Sequence, residues 1–177
     1  LLPNPRWKMN THNFGWFKGD TVNLGVGQGY MNATPIQLAY YASFLANKGK
    51  LYKLSFVPNH VDPVEDVFDS ENINEVDWKK LHNSMIGVIE NPKGTAGILR
   101  KLKDYPIAAK SGTVELVSTN TKEDYEIIRQ TEGKRDHAII IAFGPMPNPK
   151  YAVSVVIENG ESGGSVAGPV AIAVLNS

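Results

Sequence analysis

The chain has no cysteine among its 177 residues, which excludes a disulfide framework and any thiolate metal site. It has no net charge either. Eighteen Lys and Arg balance eighteen Asp and Glu, so no overall field favours nucleic acid or an anionic membrane as a partner. Long apolar runs are missing: the longest, around Ala138 to Phe143, falls far short of the roughly 20 residues that cross a bilayer. The four histidines, His12, His60, His82 and His137, show neither HxxxH nor HxH spacing, and no metal site or other cofactor is expected. Lone acids such as Glu115 and Glu158 lack a visible partner for paired-carboxylate chemistry. There is no initiating Met and no basic leader. The opening Leu1-Leu2-Pro3-Asn4-Pro5 reads as the interior of a longer protein, so a missing targeting signal carries no information about location.

What is present is an ordinary globular composition, 42% hydrophobic and 20% charged, with length enough for one domain or a substantial piece of one over residues 1–177. Residues 1–33, rich in Gly, Asn, Pro and aromatics, read as an extended, loop-dominated segment. A helix is predicted next, with Thr34 as N-cap, Pro35 at the first helical position and Gly49 closing the end. Ile36, Leu38, Ala39, Ala42, Phe44, Leu45 and Ala46 surround much of its circumference, which predicts burial. Residues 50–75 read as a short strand and an acidic loop. A second helix is predicted from Asp77 as N-cap to about Asn91-Pro92, with Leu81, Met85, Val88 and Ile89 on one face.

The last third changes period. Ile107–Val117, His137–Phe143 and Tyr151–Glu158 are strand-like, and the short Pro145 to Pro149 link suits an antiparallel pair. The connection from Ser118 to Asp136 is long, polar and read as a loop. Ser165 is the expected N-cap of a closing helix to about Leu175. The fold class is therefore α+β, with helices, three antiparallel strands and a covering C-terminal helix around an incomplete sheet.

Chemistry concentrates in Lys110-Ser111-Gly112-Thr113, within the first strand. Alternation places Lys110 and Gly112 on one face and Ser111 and Thr113 on the other. A cation, two hydroxyls and a glycine on one strand form an anion-binding edge, and strand interiors avoid Gly unless another backbone must come close. The run Gly25 to Gly29 has GxGxG spacing without a preceding strand, so it is no dinucleotide fingerprint, and Ala109 stands where a phosphate loop needs Gly.

Lys110-Ser111-Gly112-Thr113 resembles the third motif, [KH][ST]G, of the penicillin-recognising serine transferases. Gly19-Asp20-Thr21, Gly25-Val26-Gly27-Gln28-Gly29-Tyr30 and Ala33-Thr34-Pro35-Ile36-Gln37-Leu38-Ala39 are similar to the segment that precedes this strand in class B penicillin-binding proteins. Gly94-Thr95-Ala96, His137-Ala138, Phe143-Gly144-Pro145 and Val156-Ile157-Glu158-Asn159-Gly160 follow in family order. The elongation-type members, the penicillin-binding proteins 2, are the most similar.

The resemblance implies part of a penicillin-binding transpeptidase, or serine β-lactamase-like, fold and a peptidoglycan D,D-transpeptidase that works through an acyl-serine. Stem peptides and β-lactams would be the ligands, cell-wall elongation proteins the partners, and the periplasmic face of the inner membrane the location. Lys110 would join the network that orients substrate, Ser111 and Thr113 would meet its carboxylate, and Gly112 would leave room for strand pairing. The Thr113 backbone N–H would supply half of an oxyanion hole, a donor worth about 3–4 kcal/mol in such sites. The nucleophile is the departure: no serine in the chain is followed three residues later by lysine. Ser118-Thr119-Asn120 fits the family's SxN pattern but follows Lys110, and is read as coincidence. The chain alone is thus expected to be inactive, and an incomplete sheet with a bare face and edge to self-associate. A non-enzymatic scaffold of a cell-wall complex, a D,D-carboxypeptidase and a serine β-lactamase are the competing readings.

Overall fold

The computed structural model describes residues 2–55, 57, 73–117, 121–131 and 133–177. The chain divides into two compact units, Leu1–Thr34 and Pro35–Ser177.

The first unit is helical, contrary to the loop-dominated expectation. Helix α1 spans Pro5–His12 and α2 spans Lys18–Gly25. Asn4 caps α1 by accepting from the Trp7 N–H at 3.0 Å, with Pro5 in the first turn where no donor is lost. A single carboxylate joins the two helices. Asp20 Oδ2 accepts from Lys8 Nζ at 2.6 Å and from the Phe17 N–H at 2.7 Å, while Lys8, 3% exposed, also lies over the Phe17 and Tyr30 rings. Polar pairing of this kind leaves no hydrophobic period in the sequence, which is why the helices were not anticipated.

The second unit is built on three antiparallel strands in the order β1-β2-β3: β1 Ala108–Val114, β2 His137–Gly144 and β3 Tyr151–Ile157. Lys110 stands opposite Ile141 and Gly112 opposite Ile139, while Ala138 pairs with Ile157. The three strands predicted in the last third are all present, each within a few residues of its expected bounds, whereas the short strand expected within residues 50–75 is not found among the described residues.

Helices lie on both faces. On one, Ala109, Ile140 and Ala142 pack with Ala167, Ala171, Ile172 and Leu175 of the C-terminal segment. On the other, Ala108, Ile141 and Phe143 meet helices α3, Pro35–Ala46, and α4, Glu75–Glu90. The bare sheet face expected from the sequence is therefore not found among the described residues. What stays open there is a cavity between α3 and α4.

Helix α3 is buried only in part. Ala42, Leu45 and Ala46 are buried against the sheet side, whereas Ile36 and Tyr41 are 54% and 52% exposed. Past its end, Gly49 adopts φ +88° and its N–H donates to Phe44 O at 2.9 Å; a Cβ there would lie 2.9 Å from the Trp78 ring. Helix α4 starts one turn earlier than predicted. Asn74 is the cap, accepting from the Asp77 N–H at 3.1 Å, so Asp77 instead lies in the first turn with Glu75, where acids suit the helix dipole.

Two further differences lie near the strand ends. The Ser118–Asp136 connection contains a helix, α5, Lys122–Arg129, capped by Thr121. The closing helix is preceded by a wide π turn, Gly163–Ala167, capped by Ser162 rather than Ser165; α6 then runs Gly168–Asn176. The SxN look-alike Ser118–Asn120, His60 and most of the acidic loop before residue 73 lie outside the described residues.

Candidate functional site

Strand β1 is one of the two outer strands of the sheet, so alternate N–H and C=O groups along it point away from β2. Lys110, Ser111, Gly112 and Thr113 all lie on it. Pleating divides them as expected: Ala108, in register with Lys110 and Gly112, belongs to the α3–α4 side, and Ala109, in register with Ser111 and Thr113, to the α6 side.

Each side chain has a defined setting. Lys110 is exposed, and its Nζ donates to the Ser111 carbonyl at 2.6 Å. It borders two openings. One is an apolar cavity of about 670 Å³ walled by Tyr41, Phe44, Trp78, Met85 and Ile141. The other is a polar groove of about 640 Å³ lined by Asn83, Ser84, Asn91, Lys93 and Thr95. Ser111 Oγ lies 2.6 Å from Thr95 Oγ1. Thr113 Oγ1 donates to the Glu161 carbonyl at 3.2 Å. The four site residues predicted from the sequence are thus contiguous on an open edge, with hydroxyls on one side and the cation on the other.

The site is supported by residues to which the sequence reading gave no role in it. The loop after α4, Gly94-Thr95-Ala96, and the Gly163-Gly164 pair are wedged against β1. A Cβ on Gly163 would fall 2.6 Å from Gly112 O and 3.0 Å from Gly112 N, and one on Gly164 would collide with Thr95 O. No other residue type fits between three backbones at this separation. Gly94-Thr95-Ala96 stood out in the sequence only as a segment in family order, and Gly163-Gly164 only as a glycine pair ahead of an apolar helix, which reads equally well as an ordinary turn.

The far end of the strand is held electrostatically. Arg129 on α5 grips the Glu161 carboxylate with Nε–Oε1 at 2.7 Å and Nη2–Oε2 at 3.2 Å. Charge-assisted bonding to Arg129 holds the Glu161 carboxyl below its ordinary pKa. Tyr125 of α5 donates to Asp136 Oδ2 at 2.8 Å, and this bond is the main reason its phenol titrates above the usual value. His137 Nδ1 accepts from the Asn159 N–H at 3.0 Å, which ties the ring to the strand end. Among the described residues no group of three or more His, Asp and Glu lies close enough to hold a metal ion.

An outer strand bearing Lys-Ser-Gly-Thr, flanked by helices on both sheet faces, is the frame of a penicillin-recognising transpeptidase. The penicillin binding protein transpeptidase domain matches residues 2–176, and the chain belongs to that family. It is 33% identical over 178 residues to the peptidoglycan D,D-transpeptidase MrdA of Escherichia coli K12, covering 93% of this chain and 27% of that protein. Among solved structures it is similar to Pseudomonas aeruginosa penicillin-binding protein 2 in complex with WCK 5153, with 35% identity and a TM-score of 0.77 over 98% of this chain and 35% of that one. It is also similar to Helicobacter pylori penicillin-binding protein 2 in complex with MreC, with 31% identity and a TM-score of 0.79 over 99% of this chain and 30% of that one. The chain thus spans about a third or less of the relatives it matches.

Proposed function

We propose that this chain is the substrate-holding edge of a peptidoglycan D,D-transpeptidase, acting with a nucleophilic serine carried outside these 177 residues. The observation that carries the reading is the outer strand β1, with Lys110-Ser111-Gly112-Thr113 in sequence and both hydroxyls on one side of it. A stem peptide ending in D-Ala-D-Ala would lie along β1 as an added strand, its backbone passing over Gly112. Ser111 would bind its terminal carboxylate, Thr113 would join it by turning its hydroxyl from the Glu161 carbonyl to the ligand, and Lys110 would set the local charge. The serine oxygen would attack the carbonyl of the penultimate residue, with the Thr113 N–H stabilising the oxyanion. Terminal D-alanine would leave, and an amine on a neighbouring strand would take up the acyl group. β-Lactams would enter by the same route.

The chain has no SxxK sequence, and this supports inactivity in isolation. By analogy with the Helicobacter relative solved with MreC, the partners would belong to the cell-wall elongation machinery, on the periplasmic face of the inner membrane. No helix among the described residues is long and apolar enough to cross a membrane. The test is intact mass after exposure to a β-lactam, on this chain and on the complete gene product. The reading requires no adduct on the chain and one adduct on the complete product, at a serine outside it. A complete, folded product that takes up no β-lactam would instead favour a scaffold. Hydrolysis without transfer to an amine would identify a carboxypeptidase.

A further inference from the structure

The contact between Thr95 and Ser111 has a consequence for how the edge binds an anion. A hydroxyl carries one proton and two lone pairs, whereas a carboxylate only accepts. Ser111 can serve a carboxylate only by donating, and it cannot do so while its proton points at Thr95. The 2.6 Å separation fits either direction of donation. The two directions give opposite outcomes: with Ser111 as donor its proton is consumed, and with Thr95 as donor it is released toward the ligand.

Thr95 is well placed to be the fixed member. Its loop is pinned by Gly94 N–H to Asn91 O at 2.8 Å, Ala96 N–H to Val88 O at 3.0 Å and Gly97 N–H to Gly94 O at 3.2 Å. From below, a Cβ on Gly94 would fall 2.7 Å from Gly87 O, and from the other side Gly164 abuts Thr95 O. A β-branched side chain on such a backbone has little rotamer freedom. Thr95 also lines the polar groove bordered by Lys110, so the Thr95 end of the hydroxyl pair opens on that groove.

We propose that Thr95 is a positioning residue that donates to Ser111 Oγ and thereby turns the Ser111 proton toward the carboxylate of the ligand. This deepens the reading of β1 as a carboxylate-binding edge and rests on it. Thr95 does not touch the ligand; it acts through Ser111, and polarisation along the two-bond chain strengthens the outer bond.

The experiment uses the intact chain and two probes that differ in one group: N-acetyl-D-alanyl-D-alanine and its C-terminal amide. Dissociation constants are measured by NMR titration. The wild-type chain should prefer the acid by about tenfold, the scale of one charge-assisted bond. Thr95→Val keeps the shape but removes the donor, and should lower the preference to about threefold or less while leaving amide binding unchanged. Thr95→Ser restores the donor and should restore the preference. In a Ser111→Ala background Thr95→Val should have no further effect, because its influence runs through that oxygen. A Thr95→Val chain that keeps the full acid preference, or additive effects of the two substitutions, would overturn the proposal and leave the edge reading intact. A wild-type chain with no acid preference would overturn the edge reading itself, and the role of Thr95 with it.

Discussion

Two glycines that touch each other across the site should respond oppositely to the same added methyl group. At Gly112 a Cβ would lie 3.7 Å from Ile139 Cβ and 3.9 Å from Ile139 O, which is ordinary contact. Gly in a strand interior costs about 0.5–1 kcal/mol relative to Ala, so Gly112→Ala should be neutral or stabilising by up to that amount. At Gly163 the new atom would lie 2.6 Å from Gly112 O and nearer still to Ile139 O. Carbon–oxygen contacts settle at about 3.3–3.6 Å, so relieving the tighter contact, with Ile139 O, needs the backbones to part by roughly 1 Å or more. Both obstacles are main-chain atoms of the β1–β2 pair and cannot swing aside like a side chain. Overpacking typically costs 1–3 kcal/mol, and rigid neighbours put this case at about 3 kcal/mol, a large share of the 5–15 kcal/mol that holds a domain together. Urea unfolding followed by far-ultraviolet circular dichroism should place Gly163→Ala at least about 1 M below the parent midpoint, with Gly112→Ala at or above it. Binding should show the reverse. Gly112→Ala, though folded, should weaken the acid dipeptide about tenfold, because the methyl occupies the path of the ligand backbone. A Gly163→Ala chain within about 0.5 kcal/mol of the parent would refute the packing argument. Unchanged ligand affinity in Gly112→Ala would refute the proposed role of that glycine.

Phe143 is completely buried between the sheet and α4, with its ring edge-on to His82 at 5.4 Å. Phe143→Ala should therefore cost about 3–5 kcal/mol in the same unfolding assay, and a loss below about 1 kcal/mol would contradict the assigned core. In the first unit, Lys8 and then the Phe17 N–H hold the Asp20 carboxyl below its ordinary pKa. A lowered folded-state value stabilises the paired helices above about pH 4, and this is lost as the pH falls from there through the folded value. Amide protection in α1 and α2, taken relative to the intrinsic exchange rate at each pH, should fall over that acidic window and stay flat near neutrality, while Asp20→Asn should remove the dependence. Glu161 is lowered first by its bond to Arg129, so the same sign applies. Docking of α5 should weaken on acidification, visible as early loss of amide protection over residues 123–129. Arg129→Gln should produce that loss at neutral pH.

The strands were legible because β-branched and aromatic runs with Gly and Pro punctuation leave few alternatives. His137–Gly144 is such a run, and its register follows from a short proline link to β3. Thr34-Pro35 and the positive-φ Gly49 marked α3 for similarly local reasons. Elements held by polar contacts were not legible. Helix α2 is joined to α1 by Asp20, and α5 is tied down by Arg129 and Tyr125; in each case the partner lies 11 or more residues away in the chain. The misjudged cap of α4 arose because Asn74 and Asp77 are both good caps three residues apart, and only the helix's packing selects between them.

The sequence by itself determined the α+β class, the three antiparallel strands and the placement of Lys110 to Thr113 together on one of them, since these residues are adjacent and their alternation is a property of any strand. Tertiary structure alone decided what those residues face. It brought Thr95, sixteen positions away, to 2.6 Å from Ser111, and it seated Gly163 against the β1–β2 pair and Gly164 against the Thr95 backbone. It also put Lys110 on the wall between an apolar cavity and a polar groove. The reason is one of range. Periodicity and turn chemistry act between neighbours in the chain, whereas the aim of a hydroxyl proton depends on which distant backbone comes close enough to leave room for nothing larger than glycine.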